Sequence, residues 1–160
     1  MGTQHLDESG KGAMVMIAIL EDEDRRIERM REILTRLYSS YQVVFLKTAP
    51  DMIVWLGENM TKVVLFSLDH DLGPNQERDG QVFEPGSGQD VVQVLARHAP
   101  VAPVIVHSTN LAAAPEMVTA LEVAGWAAHR VQPYDDRDME WIGESWEKMV
   151  VACLGEGGGH

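Results

Sequence analysis

Acidic and imidazole side chains stand together at the end of one apolar run. Val63–Phe66 form a continuous apolar stretch, typical of a strand that is buried on both faces of a parallel sheet. Asp69, His70 and Asp71 follow within a few residues, and a Gly–Pro pair then ends the element. Two carboxylates and an imidazole at one rim of a sheet are the groups that bind cations and transfer protons.

Two other apolar runs also lead into polar residues. Residues 13–20 precede Glu21–Asp24, and residues 103–106 precede His107–Asn110. In an alternating strand, however, His107 and Ser108 take opposite faces, so both reach one site only if the strand has already ended there.

These runs belong to an alternation of strand and helix that the sequence repeats five times. The predicted strands are 13–20, 41–47, 62–71, 102–110 and 126–133. The predicted helices are 24–40, 49–59, 89–99, 114–125 and 138–154, with Asp24 as the cap of the first. A long polar connection, 72–88, contains no predicted element. This order predicts an α/β protein with a flavodoxin-like, doubly wound, five-stranded parallel sheet and helices on both faces.

In such folds the ligand lies beyond the carboxyl ends of the strands. Glu21, Asp22 and Asp69 are then expected to meet in space, and clustered carboxylates repel one another unless a cation lies between them. A hard divalent ion with oxygen ligands, Mg²⁺ above all, satisfies that requirement. The alternative is that Glu21–Asp24 only place negative charge at a helix N-terminus, where anions are favoured.

Composition limits the classes of partner. The chain has 160 residues and a formal net charge of -12, which disfavours binding to duplex nucleic acid. A single cysteine, Cys153, excludes an intrachain disulfide, and no apolar segment is long enough to span a membrane. We expect a cytoplasmic protein with one domain over 13–153, between a flexible polar segment 1–12 and a flexible Gly-rich tail 154–160.

The sequence resembles receiver domains, the phosphoacceptor modules of two-component signalling. "IAILEDED" matches their first strand, "LFSLDHDLG" the third, "PVIVHST" the fourth and "AGWAAHRVQP" the fifth. The resemblance places Asp69 at the phosphoacceptor position and Ser108 at the hydroxyl position. It departs at Gln132, where receivers carry a lysine before the proline, so phosphosignalling in its usual form is not implied.

The histidines point to a narrower group, the receiver-like domains predicted to process cyclic phosphates. "SLDHDLG", "GSGQDVV" and "HSTN" resemble the hallmarks of that group and occur in the same order. The resemblance implies binding or hydrolysis of a cyclic phosphate on a nucleotide or an RNA end.

Opening a cyclic phosphodiester needs a general base and a general acid, and imidazoles suit both roles. His70 and His107, with Asp69, are therefore the predicted catalytic residues. A metal on Glu21, Asp22 and Asp69 would supply positive charge. The predicted phosphate contacts are Ser108, Thr109, Asn110 and the backbone N–H of Gly88.

Two alternatives stay open at the sequence level. The chain is either a receiver phosphorylated on Asp69, or a degenerate receiver that binds a protein partner. His70 also has a structural interpretation, as a loop histidine bonded to the backbone.

Overall fold

The computed structural model describes residues 14–134 and 137–155. Its main sheet has five parallel strands in the order β2-β1-β3-β6-β7. These strands are β1 Met16–Leu20, β2 Gln42–Leu46, β3 Val63–Leu68, β6 Val104–His107 and β7 Ala128–Val131. The predicted doubly wound sheet is confirmed.

Five α-helices connect and cover the strands. They are α1 Asp24–Leu37, α2 Ala49–Asn59, α3 Gly88–Leu95, α4 Ala113–Val123 and α5 Glu147–Leu154. A 3₁₀ turn, Met60–Lys62, follows α2, and a π-helical turn, Ile142–Trp146, leads directly into α5. No helix in these described ranges is long and apolar enough to cross a membrane.

The strands bury both faces, because successive side chains point to opposite sides of the sheet. Ala18, Phe66 and Val106 pack against α2, α3 and α4. Ile19 and Ile105 pack on the other side, against α1, the π-helical turn and α5. The uninterrupted apolar runs in the sequence therefore reflect two separate cores rather than one.

Two expectations about local structure were wrong. The connection 72–88 contains an antiparallel hairpin, β4 Gln76–Arg78 with β5 Gln81–Phe83. Its turn is formed by Asp79 and Gly80, both with positive φ, which suits an Asp–Gly pair. The cap of α1 is Glu23 rather than Asp24, because the Glu23 side chain accepts from the backbone N–H of Arg26. Segment 1–12 and most of the predicted tail lie outside the described residues, and Leu154 still belongs to α5.

The register of the sheet aligns the ends of its three central strands. Leu20 of β1 pairs with Leu68 of β3, which pairs with Val106 of β6. The residues that follow each of these, Glu21, Asp69 and His107, therefore emerge side by side at the carboxyl edge. The ladder continues at this edge, since the backbone N–H of Asp69 donates to the Leu20 carbonyl at 3.0 Å.

Candidate functional site

Four polar side chains form a buried cluster at the carboxyl edge of the sheet: Glu21, Ser67, Asp69 and His107. Glu21, Ser67 and His107 are 0% exposed, and Asp69 is 6% exposed. Ligand atoms of Glu21, Asp69 and His107 lie within 4.8 Å of one another. Buried polar groups at this density are costly unless each has a partner, so the hydrogen bonds decide what each group can do.

His107 is held by hydrogen bonds at both ring nitrogens. Its Nε2 lies 2.9 Å from Glu21 Oε1, and its Nδ1 lies 2.7 Å from Ser67 Oγ. Trp146 Nε1 donates to the same Ser67 oxygen at 3.0 Å. Because a carboxylate only accepts, Nε2 carries the proton. The second bond, between Nδ1 and the Ser67 hydroxyl, completes a chain of hydrogen bonds from Trp146 through Ser67 and His107 to Glu21.

These hydrogen bonds lie on the side of the sheet that α1 and α5 cover. The His107 ring stacks on Trp141, with centroids 6.0 Å apart and planes at 28°. Ser108 is also buried, but its Oγ accepts from the backbone N–H of Asn110 at 3.0 Å. His107 and Ser108 therefore bond to different partners.

Arg26, on the first turn of α1, supplies a cation to the buried cluster. Its Nη1 lies 3.4 Å from Glu21 Oε1 and 3.5 Å from Asp69 Oδ2. The residue is only 8% exposed, and its guanidinium lies 5.2 Å from the centroid of the Trp141 ring. The two carboxylates thus share one positive charge that the protein itself provides.

The two carboxyl groups titrate in opposite directions. Burial alone would raise the pKa of Glu21, but the hydrogen bond and the charge of His107, with a smaller effect from the charge of Arg26, outweigh it and lower that pKa. Burial raises the pKa of Asp69 to about 7, and the neighbouring charge of Glu21 acts in the same direction. Glu21 is therefore the anion of the pair, and Asp69 is a carboxyl that takes up a proton near neutral pH.

A second group, the rim cluster, lies just outside the sheet and consists of His70, Asp71 and Asn110. His70 Nδ1 lies 2.8 Å from Asp71 Oδ1, and Asn110 Nδ2 donates to the two Asp71 oxygens at 3.4 and 3.5 Å. Asn110 Nδ2 is also 3.4 Å from His70 Nδ1, but the shorter contact to the carboxylate determines that Nδ1 carries the proton. Within residues 14–134 and 137–155, no hydrogen-bond partner engages His70 Nε2, and the side chain is 19% exposed.

The metal ligands predicted from the sequence are only partly brought together. Glu21 and Asp69 converge beside His107, whose ring nitrogens are both bonded, but Asp22 is not a member of that group. The Asp22 carboxylate lies beside Gly73, where a Cβ would come within 2.6 Å of Oδ2. Carboxylate oxygens fit a hard divalent cation chemically, and Arg26 beside both carboxylates marks the position as one that favours positive charge.

Gly88 was predicted to offer its backbone N–H to phosphate, and that N–H is already engaged. It donates to the His70 carbonyl oxygen at 3.0 Å. A Cβ at this position would lie 2.0 Å from the carbonyl oxygen of Asp69, so the approach of α3 to the β3 end requires glycine. Gly88 therefore fixes the backbone of the segment that carries Asp69 and His70. Thr109, another predicted phosphate contact, is exposed at the same edge.

Sequence reasoning missed Arg26, Ser67 and Trp146. Arg26 lies four residues before Met30, so it falls on the apolar stripe of α1, where a charged residue is unexpected. Ser67 is the one polar residue of the six in β3. Arg26 and Ser67 are polar residues at core positions, and that signal was available in the sequence.

The sequence model of one family matches this chain over residues 16–123, and that family is described as cyclic-phosphate processing receiver domain. No curated protein sequence is significantly similar to the chain.

Solved structures with the same fold are response regulators. The phosphorylated cyanobacterial phytochrome response regulator RcpA aligns with a TM-score of 0.66 at 15% identity, covering 88% of this chain and 94% of that one. A receiver domain from Rhodospirillum rubrum aligns with a TM-score of 0.59 at 11% identity, covering 86% and 94%. The Mn²⁺-bound form of response regulator Rcp1 gives 0.57 at 16%, covering 84% and 95%. At these identities the likeness establishes the fold.

Proposed function

Because the chain belongs to the cyclic-phosphate processing receiver domain family, we propose that it binds a small cyclic phosphate at the carboxyl rim and hydrolyses it. The observation that carries this proposal is the rim cluster. It holds an imidazole in one tautomer, with Nδ1 bonded to Asp71 and Nε2 without a hydrogen-bond partner in the described ranges. An oriented imidazole with one available nitrogen is the usual arrangement for general acid–base catalysis.

His70 has the geometry of the base in this proposal. The Asp71 carboxylate accepts a hydrogen bond from Nδ1–H. Nε2 therefore presents a lone pair that takes a proton from water as the water attacks phosphorus. The same group then returns the proton to the ribose oxygen that leaves. Asn110 keeps Asp71 in place through its side-chain amide.

The remaining charge on the phosphoryl oxygens requires donors and a cation. Thr109 and Asn110 stand at the same edge and can donate hydrogen bonds to those oxygens. Glu21 and Asp69 would hold a divalent ion such as Mg²⁺, which supplies Lewis-acid charge when it is bound.

The surroundings of His107 favour a role other than the acid–base one predicted from the sequence. It is 0% exposed and both ring nitrogens are engaged, so it has no free site for a substrate proton. We assign it to holding the Glu21 carboxylate, as a positioning residue. The catalytic role predicted for His107 stays a prediction.

The test is ³¹P NMR of the full chain with a nucleoside 2′,3′-cyclic phosphate, with and without Mg²⁺. We expect conversion to a nucleoside monophosphate and a loss of about 100-fold or more in His70→Ala, the scale of acid–base catalysis. His98→Ala is the matched control, because His98 is exposed and bonds only to the Val94 carbonyl on α3's C-terminal side. Shifted resonances without conversion would indicate a cyclic-phosphate sensor. No change with folded protein would refute the proposal for this substrate, and a short oligoribonucleotide with a cyclic phosphate end is the second substrate to test.

A second candidate is phosphorylation of Asp69, favoured by its position at the end of β3 beside the acidic Glu21. Two observations weigh against it. Gln132 is exposed where receivers carry a lysine, and half-buried Arg130, the nearest alternative cation on β7, donates to the Ser108 carbonyl oxygen. Intact-mass measurement after incubation with a small phosphodonor and Mg²⁺ distinguishes the candidates, since only this one adds a phosphoryl group that Asp69→Asn removes. A protein-binding module would show neither turnover nor a mass change.

A further inference from the structure

We infer that Arg26 is the resident counter-cation of the buried cluster, and that a divalent metal ion reaches Glu21 and Asp69 only by displacing its guanidinium. The site then holds one of two alternative cations. These are a bound divalent metal ion and the guanidinium of Arg26 on α1. The inference concerns the same pocket as the proposed function. It is tested with metal alone, without cyclic phosphate, so either can fail while the other stands.

Geometry is the first support for this inference. A single guanidinium nitrogen, Nη1, lies 3.4 Å from one carboxylate and 3.5 Å from the other. A cation shared by the two carboxylates would have to lie against both of them, as this nitrogen does. The metal and the guanidinium would therefore compete for the same negative charge and for the space beside it.

The hydrogen bonds that Glu21 already makes are the second support. Its Oε1 faces both His107 Nε2 and Arg26, while its Oε2 accepts from the backbone N–H of Glu23 at 3.0 Å. With the carboxylate fully buried and each oxygen already bonded, a hydrated Mg²⁺ has no approach unless one partner leaves. His107 is fixed by Ser67 at its other nitrogen, and the Glu23 amide belongs to the start of α1. The Arg26 guanidinium is the long, rotatable partner of the three.

Burial and ring contact are the third support, because they separate Arg26 from ordinary surface arginines. It is 8% exposed and its guanidinium lies 5.2 Å from the Trp141 ring centroid. Arg25, its neighbour on the same turn, is exposed and donates to the Arg137 carbonyl instead. The chain thus offers two adjacent arginines of equal charge, one inside the cluster and one outside it.

The experiment compares Mg²⁺ and Mn²⁺ binding by isothermal titration calorimetry in the full chain and in three variants. Arg26→Ala should bind at least tenfold more tightly than the unaltered protein. Arg25→Ala should bind like the unaltered protein, although it removes the same charge. Asp69→Asn, introduced into the Arg26→Ala background, should abolish the gain. Equal affinity in Arg26→Ala and Arg25→Ala would overturn the inference, as would a gain that survives Asp69→Asn.

A second variant and a second measurement cover the case in which Arg26→Ala does not fold. Arg26→Gln keeps most of the side-chain length and should show the same gain in affinity. In the unaltered protein, the Arg26 Nε–H resonance should shift along the same Mg²⁺ titration curve as the metal saturates the site. Saturation with Mg²⁺ that leaves this resonance unmoved would show that the metal and the guanidinium coexist, and would overturn the inference.

Discussion

The buried cluster and the rim cluster contain the same kinds of side chain in opposite environments. Each has one histidine and at least one carboxylate. The two clusters are joined by the backbone of the adjacent residues Asp69 and His70. In the buried cluster both nitrogens of His107 are bonded and the ring is inaccessible. In the rim cluster His70 has one bonded nitrogen and partial exposure. Burial and the number of partners, rather than residue type, separate a group that holds a neighbour from one that can react.

The largest effect we expect is on stability, from removing the buried histidine. His107→Ala removes one hydrogen-bond partner from each of the fully buried Glu21 and Ser67, so it should lower the free energy of unfolding by about 3 kcal/mol. His70→Ala, its rim counterpart, should lower it by less than about 1 kcal/mol. Urea unfolding of the two variants makes the measurement. Equal losses would remove the distinction between the clusters.

The next effect isolates the chain of hydrogen bonds. Ser67→Ala leaves Trp146 Nε1 and His107 Nδ1 unpaired in the core, which should cost about 2 kcal/mol. Ser145→Ala is the matched control, since Ser145 is half-buried and only donates to the Trp141 carbonyl. The Trp146 indole N–H resonance should also shift in Ser67→Ala alone. An unchanged resonance would show that this bond does not exist in solution.

An effect of opposite sign, which depends on pH, is expected at Asp69. Its pKa in the folded protein, about 7, lies above the ordinary 3.8, so the folded state holds the proton more tightly than the unfolded state does. Stability from this group is fully present below about pH 4 and is lost as the pH rises through 7. Asp69→Asn has no carboxyl group to titrate, so in EDTA the variant should match the unaltered protein near pH 4 and become progressively more stable than it as the pH rises through about 7. Thermal melts across this pH range would contradict the prediction if the difference were constant.

The smallest effect on stability should come from the rim carboxylate. The Asp71 side chain is 66% exposed, so Asp71→Asn should change the free energy of unfolding by less than about 0.5 kcal/mol. The same change should reduce cyclic-phosphate turnover, because an asparagine amide can also donate to His70 Nδ1 and so no longer fixes the His70 tautomer. Unfolding and ³¹P assays on one preparation would test both. If Asp71→Asn caused a large loss of stability as well as a loss of turnover, Asp71 would be a structural residue.

The sequence was sufficient for the fold and for the position of the site. Apolar runs at strand length alternated with helical periodicity, and parallel pairing then placed Glu21, Asp69 and His107 at one edge. What it did not predict was local: the hairpin β4–β5 inside a polar connection, and Glu23 instead of Asp24 as the cap. Both depend on backbone geometry that several polar residues adopt almost equally well.

Residue types and their spacing determined that acids and imidazoles would meet at the carboxyl ends of three strands. Only the tertiary structure decided what each of them does there. That both nitrogens of His107 are bonded, and that the Arg26 guanidinium lies beside Glu21, depends on packing between α1, α5 and the sheet. Those contacts join residues such as Ser67 and Trp146 that are 79 positions apart, and no local pattern encodes them. Proton affinity and accessibility are properties of such an environment, not of the side chain alone.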